Sequence, residues 1–380
     1  MRLGDICSKI GSGATPRGGK EAYSASGIPI IRSQNVLDWS FSSNGLAYLN
    51  DEQARTLSNV EVHQGDILLN ITGDSVARAC IVPSDVIPAR VNQHVAILRP
   101  KEKANATFIL AWLQTNKDLL LKLASSGATR NALTKRMLEG LDINLPSIDI
   151  QNHIAALISL IQSKINLNIK LNGYLLELAT TRFEQALFKS NRVVRLGDIV
   201  KLEDSKRVPL NSRDRDARKG PYPYYGATSI MDYVDDYLFD GIRVLLGEDG
   251  SVIDESGRPI LQYVWGKYWV NNHAHILAAA SDYSLEAIYI ALQRTPISHI
   301  VTGAVQRKIS QRNLNELKLE MPDAKSLEYL QDIFAAYRCN CEENRGLVSL
   351  RDALLPKLMS GEIDVSKIDV AQLNSHLAEY

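Results

Sequence analysis

The sequence states one pattern twice. Arg2-Leu3-Gly4-Asp5-Ile6 returns as Arg195-Leu196-Gly197-Asp198-Ile199, and each copy opens roughly half of the 380 residues and closes in a long amphipathic run. A duplication of this kind restricts the fold to two versions of one unit. The copies stay in step further on. Gly65-Asp66-Ile67-Leu68-Leu69 answers to Gly241 through Leu246, and Gly73-Asp74 to Gly247-Glu248-Asp249-Gly250. Asn92-Gln93-His94 answers to Asn271-Asn272-His273, Gly127 to Arg130 to Gly303 to Gln306, and Leu138, Leu141 and Pro146 to Leu314, Leu317 and Pro322. The offset is 193 residues at the opening and 176 from Gly65 to Pro146, so the second copy lacks 17 residues where the two are least alike. A constant framework with a variable insert suits a scaffold that presents different recognition surfaces. Arg182 then answers to Arg351 at an offset of 169, and the further loss of 7 is one heptad, which keeps a coiled-coil face in phase.

Composition excludes several classes. With 45% hydrophobic and 23% charged residues the chain is expected to be globular, with enough length for two or more cores. The cysteines Cys7, Cys80, Cys339 and Cys341 contain no Cys-x-x-Cys pair, which argues against a structural zinc site and a disulfide framework and for a reducing cytoplasm. No stretch approaches the ~18 apolar residues of a membrane span. The 43 basic and 43 acidic residues cancel, but Lys201 to Lys219 holds seven basic side chains against four acidic ones. That segment is a candidate contact for an anionic partner, or a solvated loop of mixed charge.

Punctuation and periodicity predict an α+β chain. Residues 1–146 and 192–323 each mix short apolar strands, near Ile28, Asp66 and Val95 and near Val244 and Ile260, with one longer helix, Ala106 to about Ser125 and Ser284 to about Arg294. Residues 147–191 and 324–361 are each expected to be one long helix, and 362–380 a tail. In the first, Ile150, Ile154, Leu157, Ile161, Ile165, Leu171, Leu175 and Leu178 recur at helical steps; a helix here would be roughly 60 Å long. In the second, Leu327, Leu330, Phe334, Tyr337, Cys341, Asn344, Val348, Arg351, Leu355 and Leu358 alternate steps of three and four. Asn168, Asn172 and Asn344 fall where apolar side chains would stabilise more, as register-fixing amides do. Antiparallel pairing of the helices would carry the two globular domains to opposite ends of a rod, a caliper suited to duplex DNA; helices that merely brace their own domains are the simpler alternative.

A family resemblance rests on Gly13-Ala14-Thr15-Pro16, Gly27-Ile28-Pro29-Ile30, Tyr222-Pro223-Tyr224-Tyr225-Gly226-Ala227-Thr228, Trp269 to His275, the duplicated opening and the ending Leu354 to Ile363. Together they resemble the specificity subunits of Type I restriction-modification systems, over essentially the whole chain. The resemblance implies two target-recognition domains that read the halves of a split, asymmetric DNA target, with helices that measure the spacer. It also implies docking of two methyltransferase subunits, which carry S-adenosylmethionine and methylate adenine, and of ATP-dependent restriction subunits. The chain itself would be non-catalytic, with no cofactor and no metal of its own.

The sequence is consistent with that division of labour. Asn144-Leu145-Pro146-Ser147 lacks the second proline and the aromatic of an amino-methyltransferase loop, and there is no Gly-x-x-x-x-Gly-Lys-Ser/Thr phosphate loop. Glu316-Leu317-Lys318 is half of a nuclease signature without its preceding Pro-Asp. Gly247-Glu248-Asp249-Gly250 reads as a tight turn before a metal site, and His273-Ala274-His275 as a hydrogen-bonding pair without a third ligand. DNA contact needs Lys, Arg and amides for phosphates, Arg for guanine and Asn or Gln for adenine. The candidates are Thr15, Arg17 and Lys20; Arg32, Gln34 and Asn35; Arg130, Asn131 and Lys135; Arg213, Arg215 and Lys219; Tyr224 and Tyr225; and Gln306, Arg307 and Lys308. Competing readings are a scaffold for proteins alone, an enzyme using His94, His273 and Glu248, and a specificity-like subunit of another methylation or defence system.

Overall fold

A computed structural model describes residues 1–18, 22–125, 131–303 and 306–367. The chain divides into two compact units, Met1–Leu167 with Glu343–Tyr380, and Asn168–Glu342, so each long helix contributes to both. These limits differ from domains that end where the helices begin, because each half of a helix packs on its own unit.

The first unit opens with helix α1 (Leu3–Ile6) and strand β1 (Cys7–Ser12), followed by β2 (Ile28–Ile31), β3 (Ala47–Leu49), helix α2 (Asp51–Thr56), β4 (Glu61–Val62), β5 (Ile67–Asn70), β6 (Ala79–Ile81), β7 (Ala89–Val91) and β8 (Val95–Pro100). Helices α3 (Ala106–Thr115), α4 (Lys117–Ser125) and α5 (Lys135–Glu139) complete it before the long helix α6 (Ile148–Lys189). The single helix expected from Ala106 to Ser125 is therefore two, interrupted at Asn116, whose side chain donates to the Trp112 carbonyl at 2.8 Å and competes with the helix ladder. One sheet has the order β1-β8-β5-β6 and is antiparallel; the other, β3-β2-β7-β4, contains the parallel pair β2/β7.

The second unit repeats this plan. It holds β9 (Arg192–Arg195), α7 (Leu196–Ile199), β10 (Val200–Leu202), α8 (Ser212–Ala217), β11 (Lys219–Tyr225), β12 (Ile230–Val234), β13 (Phe239–Asp240) and β14 (Arg243–Gly247). Then come β15 (Leu261–Val264), β16 (Lys267–Val270), β17 (Ala274–Ala279), α9 (Leu285–Arg294), β18 (Val301–Thr302), β19 (Lys308–Ile309), α10 (Gln311–Asn315), β20 (Lys318–Met321) and the long helix α11 (Tyr329–Ser360). Its sheets run β10-β17-β14-β15 and β12-β11-β16-β13, again with one parallel pair, β11/β16. Caps repeat as well: Asn105 and Ser284 cap α3 and α9, and Thr134 and Ser310 cap α5 and α10, each accepting from an amide three residues on.

The duplicated opening has a physical reason. Leu3 and Leu196 are fully buried, and their amides donate to the Leu141 and Leu317 carbonyls, both at 2.8 Å. A Cβ on Gly4 would lie 3.2 Å from the Glu139 carbonyl oxygen, and one on Gly197 would lie 3.0 Å from that of Asn315. Glycine is needed where the opening turn meets the end of the small helix.

The offset between copies is not constant at 176. Ile67 and Leu69 face the helix-side core of the first unit, as Val244 and Leu246 do in the second, which places β5 and β14 at 177; a one-residue slip would reverse every side chain. His94 and His273, which follow matching asparagines, stand 179 apart. The inserts also locate themselves. In the first unit β2 and β3 are joined by residues 32–46, and α2 precedes β4; in the second, residues 226–229 suffice, and the extra chain lies ahead of β11.

Antiparallel pairing of α6 and α11 is visible in both units. In the first, Asn344 Nδ2 donates to the Ile165 carbonyl (3.3 Å), and Ile154 and Ile158 share a core with Leu355 and Leu358. In the second, Asn172 Nδ2 donates to the Tyr337 carbonyl (3.3 Å), and Phe183 packs in a core with Leu330 and Phe334. The α6 seam keeps the expected Ile154, Ile161 and Ile165 and the expected buried amides Asn168 and Asn172, and departs from the expectation at Leu171 and Leu178. It passes through Ile154, Ile158, Ile161, Ile165, Asn168, Asn172, Ala179 and Phe183, with Asn168 and Asn172 only 2% and 7% exposed, whereas Leu171 and Leu178 are 43% and 44% exposed. The α11 seam buries Phe334, Arg351, Leu355 and Leu358 as its periodicity predicts. Among the described residues no helix is long and apolar enough to cross a membrane. Cys7 and Cys80 are buried thiols, and burial pushes both up to about 12.

Candidate nucleic-acid interface

Four connections converge in each unit: the link after β2 or β11, the turn after β5 or β14, the turn before β8 or β17, and the segment leading into α5 or α10. In the first unit the Asn92 amide donates to the Ile31 carbonyl (2.9 Å), the Ile71 amide to the His94 carbonyl (3.0 Å) and the Gly73 amide to the Asn131 carbonyl (3.3 Å). In the second, the Asn271 amide donates to Tyr225 (3.0 Å), the Glu248 amide to His273 (2.8 Å) and the Gly250 amide to Arg307 (3.0 Å). The two asparagines shape the turn identically, Asn92 Oδ1 accepting from the His94 amide (3.0 Å) and Asn271 Oδ1 from that of His273 (2.8 Å). The histidine then meets a side chain from the neighbouring turn, Thr72 Oγ1 at 2.7 Å in one unit and Asp249 Oδ1 at 2.6 Å in the other. One constellation, two chemistries.

This convergence gathers some of the predicted residues and not others. Asn131 and Lys135 in the first unit, and Gln306, Arg307 and Lys308 in the second, are exposed beside it. Lys135 pairs with Glu139 at 3.5 Å and Lys308 with Glu248 at 3.2 Å, while Arg307 has no ion pair among the described residues. Gln34 is exposed on the link after β2, and both it and half-buried Arg32 donate to the Gly45 carbonyl. Thr15 is half-buried and Arg17 exposed on a segment that runs along β7, where the Ala14 amide donates to the Val91 carbonyl (3.0 Å) and a Cβ on Gly13 would come within 1.9 Å of the same oxygen. Lys20 and Arg130 lie outside the described residues.

Three groups of the predicted residues are held in other contacts. Asn35 is fully buried and spends its amide on the Ser42 and Asn44 carbonyls (2.9 and 3.2 Å), so it shapes the loop rather than presenting a base contact. Tyr224 and Tyr225 are core residues: the Tyr224 hydroxyl accepts from the Leu210 amide at 2.9 Å, and Tyr225 packs edge-on against Tyr268. The basic segment is largely neutralised. Lys219 binds Asp232 at 2.7 Å, Arg215 reaches Asp232 at 3.3 Å and Arg218 binds Asp235 at 2.9 Å, acids supplied by and beside the paired strand β12; Arg213 stays exposed on α8. Sequence reasoning also passed over Asn70, Thr72, Ser75 and Asp249 as site residues. Asn70 Nδ2 ties Ser33, Val36 and Ser75 together at 2.9, 3.2 and 3.1 Å. The recurring Asn-x-His was the available signal.

Behind the second constellation sits a buried ionic network. His275, 1% exposed, places Nδ1 2.6 Å from Asp204 Oδ2 and Nε2 2.8 Å from the Ile309 carbonyl, and Gln311 Nε2 also donates to Asp204 at 2.6 Å. Arg207 reaches Glu248 Oε2 at 2.6 Å and the Ala274 carbonyl at 2.8 Å. Burial on its own raises the Asp204 and Glu248 carboxyls, but hydrogen bonds from His275 and the Ile276 amide to one, and from Arg207 to the other, hold both below the usual carboxylate range. Asp204, Glu248 and His275 bring ligand atoms within 4.8 Å of one another, yet Arg207 and Lys308 already supply the cations, so the arrangement reads as a structural charge network rather than a metal centre. In the first unit Ile71 and Ala96 occupy the places of Glu248 and His275, without charge.

Comparisons with known proteins agree with this duplicated plan. The family described as "Type I restriction modification DNA specificity domain" matches residues 1–175 and again 189–337. A putative type I restriction enzyme specificity subunit of Haemophilus influenzae is 30% identical over 127 residues, a local match covering 33% of this chain and 32% of that protein. The type I restriction enzyme MjaIX specificity subunit of Methanocaldococcus jannaschii is 22% identical over 411 residues, covering 97% and 94%. The crystal structure of a Type I restriction-modification S subunit from M. genitalium shares the fold, with a TM-score of 0.56 at 16% identity over 94% of this chain and 95% of that one.

Proposed function

The chain belongs to the Type I restriction-modification specificity family, and on that premise we propose that it is the non-catalytic subunit that reads a split, asymmetric DNA target and positions methyltransferase subunits for adenine methylation. Each unit reads one half-site through its four converging connections, and the paired helices α6 and α11 set the unspecified spacer. S-adenosylmethionine and ATP belong to the partner subunits, the latter to a restriction subunit where one is present.

The observation that carries this reading is the duplicated constellation with unlike side chains. A common backbone frame delivers Thr72, His94 and Asn131 in one unit and Asp249, His273 and Arg307 in the other, so one docking geometry can serve two base sequences. Arg307→Ala tests it in the complex with methyltransferase. If Arg307 contacts a phosphate, the salt slope of binding falls by about one unit; if it reads guanine, discrimination falls by about 1 to 3 kcal/mol, in either case without loss of subunit assembly. Unchanged isotherms across salt concentrations would remove Arg307 from the interface. Methylation-sensitive sequencing of host DNA reads the wider proposal directly, since a motif without two separated halves contradicts it.

A further inference from the structure

We propose that Arg351 and Trp39 form a positioning contact through which the helix pair holds the reading loop of the first unit, so that discrimination at one half-site, and not at the other, depends on it. The inference rests on the reading of the chain as a two-part DNA reader.

Arg351 occupies a seam position of α11 where the heptad pattern calls for an apolar side chain. It is buried, with its guanidinium 4.8 Å over the Trp39 ring centroid. Its orientation is set from the other edges, Nη1 donating to Gln162 Oε1 at 2.9 Å and Nε and Nη2 to Asp352 Oδ1 at 2.9 and 2.8 Å. A planar cation clamped in this way against an indole face is a directional contact rather than a loose one.

Trp39 is the tip of the loop that the second unit lacks. The turn is closed by the Val36–Phe41 bridge and by the Leu37 amide donating to the Ser40 carbonyl at 3.0 Å. The tip folds back onto the edge strand β6, the Trp39 amide donating to the Ala79 carbonyl at 2.9 Å, and neighbouring Asp38 pairs with Lys117 of α4. Trp39 holds a left-handed backbone, φ 65°, which a tryptophan adopts only where its surroundings impose it. At the other end of the loop Asn35 binds the Ser42 and Asn44 carbonyls, while Arg32 and Gln34 meet at Gly45. The loop is thus pinned at base and tip, and its base is tied to the converging connections by Asn70, whose Nδ2 donates to the Ser33 and Val36 carbonyls. Recognition of base edges tolerates displacements of only about half an ångström, so a tip that shifts would misplace Arg32 and Gln34.

The second unit offers an internal control. Its β11–β12 link is a four-residue turn closed by the Gly226 amide on the Ser229 carbonyl at 2.8 Å, and Arg182, the repeat partner of Arg351, is exposed with its guanidinium 5.9 Å over the Tyr329 ring. No tip exists there to be held.

The test uses the full chain assembled with its methyltransferase and duplexes in which either half-site, defined by the wild-type methylation motif, is scrambled. Three variants are compared: Arg351→Leu keeps the seam apolar, Arg351→Lys keeps a cation, and Trp39→Gly keeps the left-handed backbone while deleting the ring. Arg351→Leu and Trp39→Gly are expected to lower discrimination at the first unit's half-site by about tenfold and to leave the other unaltered, with Arg351→Lys between them and wild type. Unchanged discrimination at the first half-site, or equal loss at both with a lowered melting temperature, would overturn the positioning role. A wild-type complex that reads two halves while the variants match it refutes this contact alone; a wild-type complex with no half-sites refutes the functional reading and this proposal with it.

Discussion

Asp204 shows how far surroundings override residue identity. Drawn from a segment that looks like a charged surface loop, it lies buried between His275, Gln311 and the Ile276 amide, and its carboxyl is depressed with that of Glu248. A carboxyl depressed in the folded state stabilises fully above its unfolded pKa, about 4, and loses that contribution as pH falls through the lower folded value. Stability measured calorimetrically from neutral pH downward is therefore expected to fall below about pH 4. Asp204→Asn should cost about 3 kcal/mol at neutral pH, because the buried acceptor shared by His275, Gln311 and the Ile276 amide loses its charge, and should flatten the acid limb. An acid limb that survives the substitution would mean that other carboxylates set it. The same scale explains the buried tyrosines: Tyr224 has the chemistry of a base-stacking residue, but Leu210, Val234 and Trp269 enclose it, and a side chain cannot announce which distant residues will pack on it.

Among the elements, the helix pair shows periodicity read correctly along α11 and from Ile154 to Ile165 of α6, and one face off at Leu171 and Leu178. Counting apolar letters on α6 selects Leu171 and Leu178; packing selects Asn168 and Asn172, because the heptad phase is carried through from Ile154–Ile165 and leads onto Ala179 and Phe183. Asn172 is supported there, accepting from Asn340 Nδ2 at 2.8 Å and donating to the Tyr337 carbonyl and, at 3.2 Å, to Cys341 Sγ. Asn172→Leu is expected to raise the melting temperature by a few degrees, about 1 kcal/mol, while loosening register. Spin-label distances between the helices should broaden in the variant; a distribution as narrow as wild type would show that apolar packing alone sets the register.

At the scale of the whole molecule, duplication is the organising fact: one topology built twice, with α6 and α11 shared by both units. The proposal that these helices measure the spacer makes a metric prediction. One heptad inserted in each lengthens the pair by about 10 Å. The preferred spacer should then grow by about three base pairs, with both half-sites intact. Methylation-sensitive sequencing of a host carrying the variant checks this, and altered half-sites at an unchanged gap would contradict a ruler.

The sequence by itself determined the two copies, the alternation of a mixed sheet-and-helix region with a long helix in each, and the heptad seam on α11. These follow from local rules: a strand alternates every second residue, a helix every three to four, and a repeated string repeats its contacts, as Gly4 and Gly197 do beneath the small helices. Only the tertiary structure decided which polar residues stay at the surface, that β5 and β14 align one residue away from the apparent match, and that the acids on and beside β12 neutralise the basic segment. Those outcomes depend on chain segments far apart in sequence meeting in space, and neither spacing nor composition carries that information.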